Sequence, residues 1–185
     1  RVALITGGAG GIGSELARGL GEAGASIALT SRSPASLQRV ADTLGAAGIK
    51  AAIFPGDVSQ VTESTTLVNR VVDRMGHLDI LVNVAGGADP KLVIDMEEAD
   101  WDRIVNMNLK SVFLCSQAVL PTMIQQRYGK IVSISSIYGF TGCETRANYA
   151  AAKAGVAVFT KSLALEVVKD GINVNAIAPG RVATE

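Results

Sequence analysis

Apolar residues along this chain fall into two alternating patterns. Short continuous runs, such as Val2-Ala3-Leu4-Ile5 and Ile80-Leu81-Val82, are what a parallel strand covered on both faces requires. Longer stretches between them space their apolar positions at helical intervals. The pattern predicts strands near residues 2–6, 26–30, 51–54, 80–84, 130–135 and 173–178. It predicts helices near 12–23, 34–47, 60–75, 101–127 and 149–169. Gly24 and Gly48 stand where helix C-terminal glycines belong, just before the next strand. Repeated strand–helix units with short connections imply an α/β fold, a doubly wound parallel sheet (Rossmann fold) with helices on both faces.

Composition narrows the class. The 185 residues are 48% hydrophobic and 18% charged, a globular balance that suits a single domain spanning 1–185. Seventeen basic residues offset seventeen acidic ones, so neither nucleic acid nor a membrane surface is an expected partner. No apolar stretch is long enough to span a bilayer. Cys115 and Cys143 have no ligand-like spacing, so we expect plain core thiols, no bound metal and a reducing cytoplasmic setting.

The first strand runs into Thr6-Gly7-Gly8-Ala9-Gly10-Gly11-Ile12-Gly13, and a helical pattern follows. Glycines permit a tight turn, close approach of the backbone to a pyrophosphate, and close helix–strand packing. A phosphate would then meet the free N–H groups and positive dipole end of the helix. At the end of the second strand stands Thr30-Ser31-Arg32-Ser33, without a carboxylate. A carboxylate there would hold the ribose hydroxyl of NAD, whereas an Arg accommodates a 2′-phosphate. NADP(H) is therefore expected in preference to NAD(H).

Tyr149-Ala150-Ala151-Ala152-Lys153 puts a phenol and an ammonium on one helical face. An ammonium about 5 Å from a phenol, at an effective dielectric of about 20, favours the ionised ring by about 3 kcal/mol. That is enough to suit such a pair to acid–base work near neutrality. Ser136 closes a predicted strand, at the end of the sheet where open α/β folds bind ligands. Asn108 lies earlier, inside the long helical region.

Asn108, Ser136, Tyr149 and Lys153, with the Thr6–Gly13 turn, resemble the short-chain dehydrogenase/reductase family in residue type, order and spacing, and among its members the 3-oxoacyl-[acyl-carrier-protein] reductases. Asp57-Val58 resembles the segment beside the adenine ring, and Pro179-Gly180 the turn bordering the nicotinamide. The resemblance implies a catalytic set of Asn108, Ser136, Tyr149 and Lys153. It implies cofactor contacts from Gly7, Gly11, Ile12, Gly13, Ser31, Arg32, Asp57, Val58, Asn83, Ala85, Gly86, Tyr149, Lys153, Pro179, Gly180, Val182 and Thr184. It implies hydride exchange with a small-molecule carbonyl or alcohol substrate: a 3-oxoacyl thioester, a sugar-derived ketone or a xenobiotic carbonyl. It further implies a homotetramer or homodimer paired through the helices carrying Asn108 and Tyr149.

The chain departs from the family pattern in places. Val84 replaces the second asparagine of Asn-Asn-Ala-Gly, so local hydrogen bonding should differ. Gly10 stands where many NADP-using relatives carry a basic residue, and Asn173 where many have Arg. Family members continue well past the Pro-Gly turn, and the first residue is Arg1, so a longer parent chain lacking its C-terminal part here is expected. Among the remaining residues, His77 reads as a solvated loop residue, Trp101 as core or interface packing, and Glu97, Glu98, Asp100 and Asp102 as a charged helix start. A nucleotide-sugar epimerase and a catalytically silent nucleotide-sensing module are the competing functional readings.

Overall fold

A computed structural model describes residues 1–183. Its strands are β1 (Val2–Thr6), β2 (Ser26–Thr30), β3 (Ala51–Ile53), β4 (Ile80–Asn83), β5 (Gly129–Ile134) and β6 (Ile172–Ile177). They pair in parallel in the order β3-β2-β1-β4-β5-β6. The helices are α1 (Gly11–Glu22), α2 (Pro34–Ala46), α3 (Val61–Met75), α4 (Glu98–Val105), α5 (Ser111–Gln126), α6 (Tyr138–Thr141) and α7 (Ala147–Val167). The expected doubly wound sheet is the one that forms.

The central strand shows why the apolar run must be continuous. Every residue of β1 is buried. Ala3 and Ile5 join the core made with Ala17 of α1 and Leu37 and Leu44 of α2. Val2 and Leu4 belong to the core on the other face, with Leu67 and Val71 of α3, Val119 and Met123 of α5, and Leu163 and Val167 of α7. Side chains alternate across a strand, so helices on both faces demand apolar residues at every position. Cys115 lies in the second of these cores, where burial pushes its thiol up to about 12.

The chain winds outward from β1 to β3, then returns and winds the other way from β4 to β6. The carboxyl ends of β1 and β4 therefore border the switch point, where open α/β sheets take ligands. A polar row crosses the sheet at that edge, with Thr30 opposite Thr6, Thr6 opposite Asn83, and Asn83 opposite Ser133.

The expected helix over 101–127 forms differently. It begins earlier, at Glu98, where Glu97 and Asp100 make a reciprocal capping box, so the acidic group is indeed a charged helix start. It is then interrupted by a π-helical stretch, Asn106–Lys110, before α5. A π turn shifts the backbone pairing. Here Asn108 Nδ2 donates to the Ile104 carbonyl at 2.9 Å and Ser111 Oγ donates to the Met107 carbonyl at 2.7 Å. The short helix α6 was not expected. Trp101 is 42% exposed on α4 and so is not part of the core. His77 is exposed at the far end of the sheet, with Nε2 3.1 Å from the buried Asp79 carboxylate. Among the described residues, no helix is long and apolar enough to cross a membrane.

Candidate active site

The turn after β1 is built around what glycine permits. Gly7 adopts φ +67°, and a methyl group there would approach the Ala85 backbone to 2.9 Å. A methyl on Gly13 would run into the Gly7 carbonyl. Chain and helix thus approach more closely than any side chain allows. No side chain caps the N-terminus of α1, which leaves its dipole and N–H groups available to an anion.

A cleft of about 780 Å³ opens above this turn. Of the residues expected to contact a cofactor, Gly7, Gly11, Ile12, Gly13, Ser31, Arg32, Asp57, Val58, Ala85 and Gly86 line it. Asn106, Met107, Lys110 and Ser111 also border the cleft and were not foreseen. Thr30 Oγ1 and Ser31 Oγ are buried without a hydrogen-bond partner. A buried hydroxyl left unpaired costs about 1–3 kcal/mol, so this edge is complementary to a polar ligand such as a ribose. Glycine turn, open helix terminus and orphaned hydroxyls together fit a dinucleotide. Asp57 is held for its part by its own loop, its Oδ1 accepting from Ser59 N at 3.0 Å and Ser59 Oγ at 2.7 Å.

Asn83 behaves differently from the expectation. Its side chain is not part of the cleft wall. It is 2% exposed, and its Nδ2 donates to Ser133 Oγ at 3.2 Å and Ser116 Oγ at 3.4 Å. Strand alternation sends this amide into the sheet, where it ties β4 to β5 and α5. Thr6 Oγ1 accepts from both Val84 N and Ala85 N at 3.1 Å, which anchors the loop after β4 to β1. The altered Asn-Val-Ala-Gly segment is thus held mainly through backbone groups.

Pro179 and Val182 lie elsewhere, in a second depression of about 790 Å³ shared with Gly11, Ile12, Ile134 and Ile177. The Pro179 carbonyl accepts from Ile137 N at 3.0 Å, so β6's exit lies against β5's. Gly180 follows, exposed. Thr184 lies outside the described residues.

Asn108 and Lys153 meet beside Gly86, and the Tyr149 ring stands next to Lys153. A methyl on Gly86 would collide with Asn108 Oδ1 and stand 3.5 Å from Lys153 Nζ. Asn108 is fully buried, its Nδ2 donating to the Gly87 carbonyl at 2.8 Å and its Oδ1 accepting from Gly87 N at 3.1 Å. Lys153 is buried and donates to the Ile134 carbonyl at 2.7 Å. Its Nζ lies 5.7 Å from the centroid of the Tyr149 ring. Burial lowers the Lys153 ammonium from 10.5 to about 8, which leaves it mainly charged at neutral pH.

Ser136 is buried at the end of β5, and its Oγ accepts from Tyr138 N at 3.2 Å. The adjacent Ser135 donates to the Lys153 carbonyl at 2.7 Å, locking β5 to α7. Asn148 fixes the start of α7, donating to the Asp100 carbonyl at 3.3 Å and accepting from Tyr149 N at 2.8 Å. Thr6, Ser135 and Asn148 were not foreseen as positioning residues. Among the described residues, no group of three or more His, Cys, Asp or Glu side chains could hold a metal ion.

A doubly wound parallel sheet with a glycine turn at its switch point is a Rossmann-type fold. The chain belongs to the short chain dehydrogenase family, whose model matches residues 1–185. It is 39% identical over 184 residues to the 3-oxoacyl-[acyl-carrier-protein] reductase FabG of Staphylococcus aureus, covering 99% of this chain and 75% of that protein. It is 40% identical over 185 residues to FabG of Vibrio cholerae, covering all of this chain and 75% of that one. An acetoacetyl-CoA reductase of Allochromatium vinosum is 38% identical over 186 residues, covering all of this chain and 76% of its own. A crystal structure from Sinorhizobium meliloti 1021, named as a short-chain alcohol dehydrogenase, superposes with a TM-score of 0.97 at 38% identity, covering all of this chain and 73% of that one.

Proposed function

We propose that this chain is a single dinucleotide-binding and catalytic domain that exchanges a hydride between NADP(H) and a carbonyl or secondary alcohol substrate. The observation that carries the reading is the meeting of Asn108 and Lys153 beside Gly86, a residue of the glycine-turn cleft, with the Tyr149 ring 5.7 Å from Lys153 Nζ. Bound nicotinamide supplies or accepts the hydride. In the reducing direction Tyr149 gives its phenolic proton to the substrate oxygen, and in the oxidising direction it takes one back. Ser136 Oγ already accepts from Tyr138 N, so its own proton is free to donate to that oxygen and stabilise developing charge. Lys153 stands beside the Tyr149 ring with one N–H spent on Ile134 and the others available to a ribose. Asn108 holds the Gly87 backbone and supports the path that returns the proton.

Ser31 and Arg32 support NADP(H) over NAD(H). An unpartnered buried hydroxyl next to an arginine matches a ribose 2′-phosphate. The relatives named as 3-oxoacyl-[acyl-carrier-protein] and acetoacetyl-CoA reductases point to a 3-oxoacyl thioester as substrate. Large apolar side chains exposed on α5 and α7, namely Phe113, Ile124, Val158 and Leu165, support pairing of copies into a dimer or tetramer.

The test is spectrophotometric. Incubated with NADPH and a 3-oxoacyl thioester, the protein should oxidise the cofactor in step with loss of the ketone. An epimerase would return its hydride and leave NADPH unchanged, and a nucleotide sensor would transfer none; either result would replace this reading.

A further inference from the structure

Three residues before Tyr149, at the N-cap of α7, stands Arg146. The Arg146 guanidinium lies 6.0 Å from the centroid of the Tyr138 ring, and its Nε is buried without a hydrogen-bond partner. Among the described residues its side chain makes no ion pair. The neighbouring cations are committed, Lys91 to Asp100 at 2.5 Å and Arg103 to Asp89 at 2.6 Å. A partly buried guanidinium with an orphaned donor is costly unless an acceptor satisfies it.

Its position is set by the site itself. Tyr138 follows Ser136 by two residues, and Tyr138 N is the donor to Ser136 Oγ. Arg146 thus lies at the start of the helix that carries Tyr149, against the ring of a residue whose backbone N–H binds Ser136 Oγ. The residue before Arg146, Thr145, has φ +62°, uncommon for a β-branched residue, and its carbonyl accepts from Lys91 N at 2.7 Å. Such backbone strain persists where surrounding structure imposes it, and it concentrates at functional sites.

The geometry points to Arg146 as the residue that receives an anionic group of the carbonyl substrate, a carboxylate or a phosphate. The inference rests on the carbonyl-reductase reading above. The planar fork of the guanidinium suits bidentate pairing with either oxyanion, and Tyr138 supplies a ring face behind it.

The test compares acetoacetate, acetoacetyl-CoA and the neutral ethyl acetoacetate with NADPH, in the intact protein and in Arg146→Gln. Arg146→Gln should lower kcat/KM about 10- to 100-fold for an anionic substrate, through KM, while changing the ester less than about threefold. Loss with acetoacetate identifies the carboxylate; loss confined to the coenzyme A thioester identifies the phosphate. Arg146→Lys, which keeps the charge without the fork, should restore part of the loss. Equal losses on all three substrates, or none, would overturn the assignment. Calorimetric binding of acetoacetate and of acetoacetyl-CoA to the NADPH-loaded Tyr149→Phe protein separates this claim from the catalytic one. Binding of one of them that disappears when Arg146→Gln is added supports it even without turnover, and no binding of either, or binding unchanged by Arg146→Gln, refutes it.

Discussion

Asn108 and Gly87 bond each other twice, the amide Nδ2 donating to the Gly87 carbonyl at 2.8 Å while Oδ1 accepts from the Gly87 N–H at 3.1 Å. The same Nδ2 also donates to the Ile104 carbonyl at 2.9 Å. One buried amide thus joins the loop after β4 to the π-helical stretch between α4 and α5. Replacing it by alanine leaves three backbone groups short of a partner.

Asn108→Ala should accordingly destabilise the fold by about 1–3 kcal/mol, read by urea unfolding with an unchanged slope. Turnover should fall by more than the unfolded fraction explains. Wild-type stability in this variant would show that the amide is not what holds the loop.

Lys153 carries a pH-dependent cost. Burial lowers its ammonium from 10.5 to about 8, so the folded protein holds this proton less tightly than the unfolded chain. The charged form then costs about 3 kcal/mol of stability below pH 8, and stability rises as pH climbs from about 8 to 10.5. Lys153→Met removes that charge at the expense of one hydrogen bond to Ile134, worth about 1 kcal/mol. The variant should melt at a higher Tm than wild type at pH 7, with the advantage gone by pH 10.5, and should be inactive. A lower Tm at pH 7 would show that the site compensates the buried charge.

Arg32 borders the cleft beside the buried, unpartnered Ser31 hydroxyl. Arg32→Ala should raise the KM for NADPH about 10- to 100-fold and leave the KM for NADH nearly unchanged. A cofactor preference insensitive to this substitution would remove Arg32 from the role.

Much of this architecture is legible in the sequence, for a definite reason. Strands buried on both faces leave unbroken apolar runs, and the turn after β1 tolerates nothing but glycine at Gly7 and Gly13. The four-residue spacing of Tyr149 and Lys153 is fixed by the helix itself. The π-helical stretch is hidden because apolar spacing records which face is buried, not which carbonyl each N–H meets. Thr6, Ser135 and Asn148 are hidden because their partners, Val84 and Ala85, Lys153, and Asp100, lie far away in sequence. The Asn83 side chain turns inward because one step along a strand reverses the facing of a side chain.

Tyr149 is the acid and base of the proposed reaction, and one substitution isolates it. Tyr149→Phe keeps the ring 5.7 Å from Lys153 Nζ and removes the single proton the chemistry needs. NADPH titration followed by steady-state reduction of a ketone should show near-wild-type cofactor affinity with turnover reduced at least about 100-fold. Turnover within a few-fold of wild type would contradict the assignment of Tyr149 as the acid and base.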